Sequence, residues 1–380
     1  MALTLTSVFA DLPDPRTETA NKLHSLTDIL TIATCAVIAG AEGWEDIAQY
    51  GRSKEAFFRQ FLELKNGVPS HDTFYRVFAR LDPDAFADRF ARWMVEVGRV
   101  TGLTRPDIDG PTHIAVDGKS ARRSEKATFA GCLHLVEAWA VEGRLILGQR
   151  SVPDGSHEII TFRDLLATLD LTGAVVTMDA AGCQTETLGL IRERGGEYVV
   201  CVKGNQPTLR DAIAGVFDRA AESAFDSCDG HTSVTDAHGR HEERNVTVVH
   251  DPDGLPVGWA GVGSVALVCR DRRVKGKENE STGHYYLSSL RVGAAELAGY
   301  IRRHWHIEAM HWVLDVAFRE DDSRTETGHA GANLGMIRRV ALSLLKRAGT
   351  RGSVHTRRLR AAWDDQYLVQ VLQGFSTHSA

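Results

Sequence analysis

Ile114-Ala115-Val116-Asp117-Gly118-Lys119-Ser120 runs from apolar and β-branched residues straight into a carboxylate, and a glycine follows. Such a run reads as a buried strand that presents an acid at its end, with Gly118 turning the chain. Ala174-Val175-Val176-Thr177-Met178-Asp179 repeats the pattern ahead of Ala180-Ala181-Gly182. Two strands that each end on an aspartate raise the question of whether the two carboxylates meet.

The neighbouring sequence answers by its order. Thr112–Asp117, Cys132–Ala140 and Leu145–Val152 read as strands, with Val141-Glu142-Gly143-Arg144 as a hairpin turn. A helix over Glu158–Leu169, a strand over Ala174–Asp179, a helix over Thr185–Arg194, a strand over Glu197–Val202 and a helix over Pro207–Ala221 follow. Three antiparallel strands followed by βα units is the order of the ribonuclease H-like fold. In that fold, acids at the ends of the first and fourth strands lie side by side, so Asp117 and Asp179 are expected to meet.

The flanks differ in character. Upstream, helical spacing recurs from Leu23 to Ile38, from Trp44 to Phe61, after Ser70 as an N-cap, and after Leu81-Asp82-Pro83-Asp84. Downstream, short β-like runs (Asn245–Val249, Gly261–Val268, His284–Ser289) fill Ser223 to Leu290, and helical periodicity returns from Ala294 to about Phe318. The expected class is α/β (α+β): a ribonuclease H-like core with a β-rich insertion, preceded by a helical N-terminal domain. The expected divisions are 1–105 for that domain, 106–222 for the first part of the core, and 223–290 for the insertion. Residues 291–350 end the core, and 351–380 form a basic tail.

Composition narrows the class further. The chain has 380 residues, 43% apolar and 25% charged, as in an ordinary soluble globular protein. No apolar run approaches the roughly 20 residues needed to cross a bilayer, and the N-terminus lacks the marks of a signal peptide. Six scattered cysteines without a CxxC pair fit a reduced cytoplasm and argue against structural zinc or a disulfide framework. A net charge of −6 argues against a protein that merely coats nucleic acid. Between Gly331 and Arg360, however, eight basic residues, among them Arg338 and Arg339, occur with no acid. Such a stripe suits a polyanion.

On the helix near 301–315, Ile301, Trp305, Glu308, Trp312 and Asp315 share one face. A glutamate on an apolar stripe is costly unless paired or metal-bound, which marks Glu308 as a third carboxylate. Asp117, Asp179 and Glu308 are hard oxygen donors suited to Mg²⁺ or Mn²⁺, and two such ions suit an in-line displacement at phosphorus. Gly118-Lys119-Ser120 mimics the end of a phosphate-binding loop, but the required first glycine is His113. Lys119, Arg122 and Arg123 are expected on phosphate instead. Lys203-Gly204-Asn205-Gln206, after a strand, reads as a turn or as the lining of a groove.

Val116-Asp117-Gly118-Lys119, Met178-Asp179-Ala180-Ala181-Gly182-Cys183-Gln184, Val202-Lys203-Gly204-Asn205-Gln206 and His304-Trp305-His306-Ile307-Glu308 together resemble the signatures of DDE transposases. The match is to the ISAs-type bacterial insertion sequences, also called the H-repeat-associated family. Asp14-Pro15-Arg16, Pro69-Ser70-His71-Asp72-Thr73-Phe74, and Asp315-Val316 with Glu320-Asp321 extend the likeness over nearly the whole chain. The resemblance implies a transposase with Asp117, Asp179 and Glu308 as catalytic metal ligands and two Mg²⁺ (or Mn²⁺) ions. Double-stranded DNA, both inverted-repeat ends and target, is the implied partner. A homodimer in a synaptic complex, a cytoplasmic, nucleoid-associated location, and end recognition or assembly by the N-terminal helices are implied as well. A domesticated, non-cleaving DNA-binding protein and a plain metal-dependent nuclease are the alternatives. The wider superfamily frames its glutamate with an arginine four residues before and a lysine seven after. Here those positions are His304 and Asp315; Arg302, Arg303 and His304 are expected to contact DNA, together with Lys119, Arg122, Arg123, Lys203, Asn205, Gln206, Arg338 and Arg339.

Overall fold

Ser25 accepts the backbone N–H of Asp28, and Ser70 that of Thr73, so two of the first long helices begin at a hydroxyl cap that satisfies an otherwise orphaned donor. The structure, a computed structural model, describes residues 5–19, 22–100, 111–121, 132–153, 157–237, 239–274, 279–325 and 327–373. The N-terminal helices are α1 (Leu5–Val8), α2 (Leu26–Ile38), α3 (Trp44–Ser53), α4 (Glu55–Phe58), α5 (His71–Arg80) and α6 (Pro83–Val100). The helix expected from Trp44 to Phe61 is interrupted at Lys54, which leaves helical geometry. Phe9, Phe78, Phe86 and Phe90 pack edge-on or stacked and form the aromatic centre of this part.

Strands β1 (His113–Ala121), β2 (Leu133–Ala140) and β3 (Leu145–Ser151) follow, then α7 (Glu158–Thr168), β4 (Val175–Met178), α8 (Thr185–Glu193), β5 (Glu197–Val202) and α9 (Pro207–Glu222). The insertion supplies β6 (Asp229–Ala237), β7 (Arg240–His250), β8 (Ser264–Val274) and β9 (Glu280–Ser288). Helices α10 (Ala294–Phe318), α11 (Ala330–Arg347), α12 (Val354–Trp363) and α13 (Asp365–Gln373) complete the chain. Strand order in the sheet is β3-β2-β1-β4-β5-β9-β8-β7-β6. The β1–β4 and β4–β5 pairs are parallel, and β2–β3 and β5 through β9 to β6 are antiparallel. The first five strands, in the order 3-2-1-4-5 with parallel crossovers through helices, give the ribonuclease H-like arrangement expected from the chain order. The insertion joins its edge as a four-stranded meander, one strand (β6) richer than the periodicity suggests.

Packing divides the chain into two units whose limits differ from the expected divisions. One comprises Met1–Asp109, Gly118–His157 and Glu308–Ala380; the other comprises Gly110–Asp117 and Glu158–Ile307. In the first unit α11 packs on α2, α5, α6, β2 and β3, so the N-terminal helices share a core with residues more than 200 positions downstream. Within the expected basic tail at 351–380, Val354–Trp363 and Asp365–Gln373 form the helices α12 and α13. Buried Arg358 there donates to the carbonyls of Val37 and Ala41 at 3.1 and 3.2 Å, and also to that of Ala317. In the second unit, Val246, Val248, Ala266 and Val268 of the meander pack under Leu297, Tyr300 and Ile301 of α10.

Candidate active site

The β1–β4 ladder pairs His113 with Val175 and continues rung by rung to Val116 with Met178. The paired register stops at Val116 and Met178, so each acid is the next residue along one of two neighbouring parallel strands, Asp117 within β1 and Asp179 just past the end of β4. One expectation is corrected: Asp117 does not end its strand and Gly118 does not turn the chain. β1 runs on to Ala121 because its other edge remains beside β2 after the β4 ladder stops.

Asp179 does end its strand. Its backbone is extended and its Oδ1 accepts the Ala181 N–H at 2.8 Å, capping the single 3₁₀ turn Ala180–Gly182. A side chain at Gly182 would bring its Cβ within 2.7 Å of Met178, so only glycine fits this tight return. Asn205 Nδ2 donates to the Ala180 carbonyl at 2.6 Å. Gln206 Nε2 donates to Cys183 O at 3.0 Å and to Gln184 Oε1 at 3.1 Å. The Lys203-Gly204-Asn205-Gln206 segment, expected on DNA, thus spends two of its side chains on the loop that holds Asp179, while Lys203 is exposed.

Two residues earlier on the same face lies a hydrogen-bonded chain that sequence reasoning missed. His113 Nε2 is 2.8 Å from Thr177 Oγ1, which is 2.9 Å from His304 Nδ1 on α10. A hydroxyl has one proton, so Thr177 donates to one ring and accepts from the other. Burial, helped by the charge of Arg303 and by His304 and His306, pushes the His113 pKa down to about 3, so its ring is neutral. Tyr300 meets the His113 ring edge-on and carries the Arg303 guanidinium over its own face at 4.9 Å. The available signal was a histidine and a threonine, each two or four residues before an acid, on strands otherwise apolar. His304 is accordingly tied to β4, and Glu308 follows it by one helical turn on α10.

Other expected residues have different surroundings. The α10 face with Trp305, Glu308 and Trp312 is not a core stripe: Trp305 is 49% and Trp312 64% exposed, and Glu308 is exposed. The buried face of α10 is set by Leu297, Ile307, Met310 and Leu314. Lys119 is nearly buried, and its ammonium lies 2.7 Å from Asp315 and 3.7 Å from Asp321. It answers carboxylates and not solvent. Arg122 and Arg123 lie outside the described residues. Arg302 is exposed.

Arg338 and Arg339, expected on DNA, are instead buried in the core. Arg339 binds both carboxylate oxygens of Glu320, at 2.6 and 3.1 Å, together with Glu137. Arg338 donates to the Glu42 carbonyl at 3.2 Å. The reason is that α11 is buried from Ala332 to Leu345, so any cation on that stretch must find partners inside. Glu137, fully buried, would be raised by burial, but Arg339 and His311 hold its pKa down at about 2. Three of the eight basic residues of the expected polyanion stripe, Arg338, Arg339 and Arg358, are therefore interior.

Among the described residues, no three His, Cys, Asp or Glu side chains form a ready-made metal group. The Asp117–Asp179 pair supplies two hard oxygen donors, which is the ligand chemistry that Mg²⁺ and Mn²⁺ take. A ribonuclease H-like sheet with paired aspartates at neighbouring parallel strands defines the class of the protein. Residues 108–344 match the family description "Transposase DDE domain" and residues 6–94 match "DDE_Tnp_1-associated". The chain belongs to the DDE transposase family. It is 35% identical over 376 residues to the "H repeat-associated putative transposase YhhI" of Escherichia coli (strain K12), covering 96% of each. It is 41% identical over 271 residues to an "Uncharacterized protein in dhlA 3'region" of Xanthobacter autotrophicus, covering 71% of this chain and 89% of that one. A solved piggyBac transposase synaptic complex with hairpin DNA aligns over 97% of this chain and 77% of that chain, with a TM-score of 0.40 and 10% identity. No described helix is long and apolar enough to cross a membrane.

Proposed function

We propose that this transposase hydrolyses a phosphodiester at the ends of its element and joins the freed 3′-hydroxyl to target DNA. Asp117, Asp179 and Glu308 are assigned as the residues that hold Mg²⁺ or Mn²⁺. The observation that carries the reading is the family to which the chain belongs, supported by the parallel register that ends at Val116 and Met178, the residues just before Asp117 and Asp179. Glu308 enters through the family motif alone. Bound there, the ions supply Lewis-acid charge to the attacking and leaving oxygens.

The chain's own contribution is positional. The Ala180–Gly182 turn, pinned by Asn205 and Gln206, fixes the Asp179 carboxylate. The Thr177–His304 hydrogen bond fixes the register of α10 against β4. Exposed Lys203 and Arg302 are assigned to DNA phosphate. Joining two ends to one target calls for two active sites, so a homodimer is the expected working form.

The test uses purified full-length protein with duplexes carrying the element's terminal inverted repeat. Asp117→Asn, Asp179→Asn and Glu308→Gln should each lower Mg²⁺-dependent nicking by about 100-fold or more, the scale of losing several kcal/mol of charge stabilisation. Nicking at wild-type rates by all three variants would overturn the assignment. Nicking without joining would identify a plain nuclease.

A further inference from the structure

Within the unit that carries Asp117 and Asp179, the sheet extension has an unusual charge pattern on one face. In the β7–β8 ladder Val246 pairs with Val268, Arg244 with Arg270, and Glu242 with Arg272. The valine rung lies under α10. The next rungs leave that cover and carry arginines. Arg302 of α10 reaches the same face and sits 3.4 Å from Thr235 Oγ1, the β6 register partner of Glu242. His284 of β9, the partner of Val268, continues the line toward Lys203, which follows β5.

These groups sense one another. Burial lowers the Arg244 pKa, and although Glu242 opposes this, Arg302 and Arg270 lower it further. Burial, Lys203 and Arg270 lower that of His284. Lys203, Arg244, Arg270, Arg272 and Arg302 are answered on this face by Glu242, 2.5 Å from Arg244, and by Glu280, 3.3 and 3.5 Å from Arg270 and Arg272. The buried Nε atoms of Arg270 and Arg272 have no hydrogen-bond partner. Among the described residues cations outnumber acids on this face, and the excess is repulsive unless an anion bridges it.

The geometry points to a nucleic-acid backbone track: Lys203, His284, Arg270, Arg272, Arg244 and Arg302, strung across β5-β9-β8-β7-β6, bind successive phosphates of one DNA strand. Strands are about 4.8 Å apart, so the line spans roughly 19 Å over four steps. A single phosphate or nucleotide would meet one or two of these groups; a polymer with repeating charge meets them all. The track starts beside β4, whose end carries Asp179, so it would lead a strand away from the acids across the insertion. This rests on the reading of the protein as acting on DNA.

The test measures binding of full-length protein to a fluorescent 40-base-pair duplex and to the matching single strand, in EDTA, across a KCl series. Arg244→Gln with Arg270→Gln should weaken binding at least tenfold at about 0.1 M salt and flatten the log K against log salt slope by roughly 1.8, or 0.9 per lost phosphate contact. The corresponding double lysine variant should keep the slope. Arg302→Gln, an exposed position, should flatten it by roughly 0.9 and covers the case where the double variant fails to fold. An unchanged slope in folded glutamine variants would overturn the track, whatever the cleavage result. If wild type binds with the arginine-dependent slope yet never nicks DNA, the track stands and the catalytic reading fails.

Discussion

Thr177 gives the sheet one of its polar links to α10. Its hydroxyl lies between His113 at 2.8 Å and His304 at 2.9 Å, and two residues later the strand delivers Asp179. Thr177→Val keeps the shape and removes the hydrogen bonds to both histidines. Losing the two costs about 1–3 kcal/mol, so the urea midpoint of the variant should fall accordingly. An unchanged midpoint would mean the link contributes nothing. The same residue shows how much of the site was legible. The two acids announce themselves as charges at the end of apolar runs, whereas a threonine in a strand is common, and only the partner across space reveals its use.

At the scale of elements, α11 is the clearest case of sequence signal read for the wrong cause. Its arginines look like a charged surface when counted alone, yet Leu334, Ile337, Val340, Leu342 and Leu345 surround them on all sides and are fully buried. A helix buried from Ala332 to Leu345 has no surface on that stretch on which to display a cation. The acids that meet Arg339 are far off in sequence: Glu137 in the apolar run Leu135–Trp139 and Glu320 after α10. Gly335 leaves the space in which Arg339 folds back, since a Cβ there would stand 3.2 Å from its Nη1. Arg339→Met strands two buried carboxylates and should cost about 3–5 kcal/mol, read as a lost or strongly lowered thermal transition. Adding Glu137→Leu and Glu320→Leu should restore much of that loss, because a buried ion network can be replaced by apolar packing at little net cost. Failure of the triple variant to recover would assign the network a further role.

At the scale of the whole molecule, the two units carry different acid sensitivities. His113, in the unit with the aspartate pair, has a folded pKa of about 3 against an ordinary 6.5. A depressed value means that the unfolded chain binds the proton more readily, so its stability contribution is complete above pH 6.5 and is lost as pH falls toward 3. Glu137, in the other unit, lies at about 2 against an ordinary 4.5, so its contribution holds above pH 4.5 and is lost below that. Hydrogen exchange, corrected for the intrinsic pH dependence, should therefore show protection weakening first in peptides of 158–237 as pH drops through 6. Peptides of α11 should follow only below about 4.5. Simultaneous loss in both units would contradict the assignment of His113.

The amino-acid sequence by itself determined the order of strands and helices, and with it the ribonuclease H-like topology and the expectation that Asp117 and Asp179 are neighbours. It could do so because apolar periodicity is local: a strand or helix declares itself within about ten residues. It also marked the family through short motifs around Asp117, Asp179, Lys203 and Glu308. What only the tertiary structure decided are the partnerships made across the chain. These are the enclosure of Arg338 and Arg339, the capture of Lys119 by Asp315, the packing of the 354–373 segment as helices, and the His113–Thr177–His304 chain. Each depends on which side of an element is covered. A charge has the same identity in the sequence whether it faces water or a carboxylate, and burial alone separates the two.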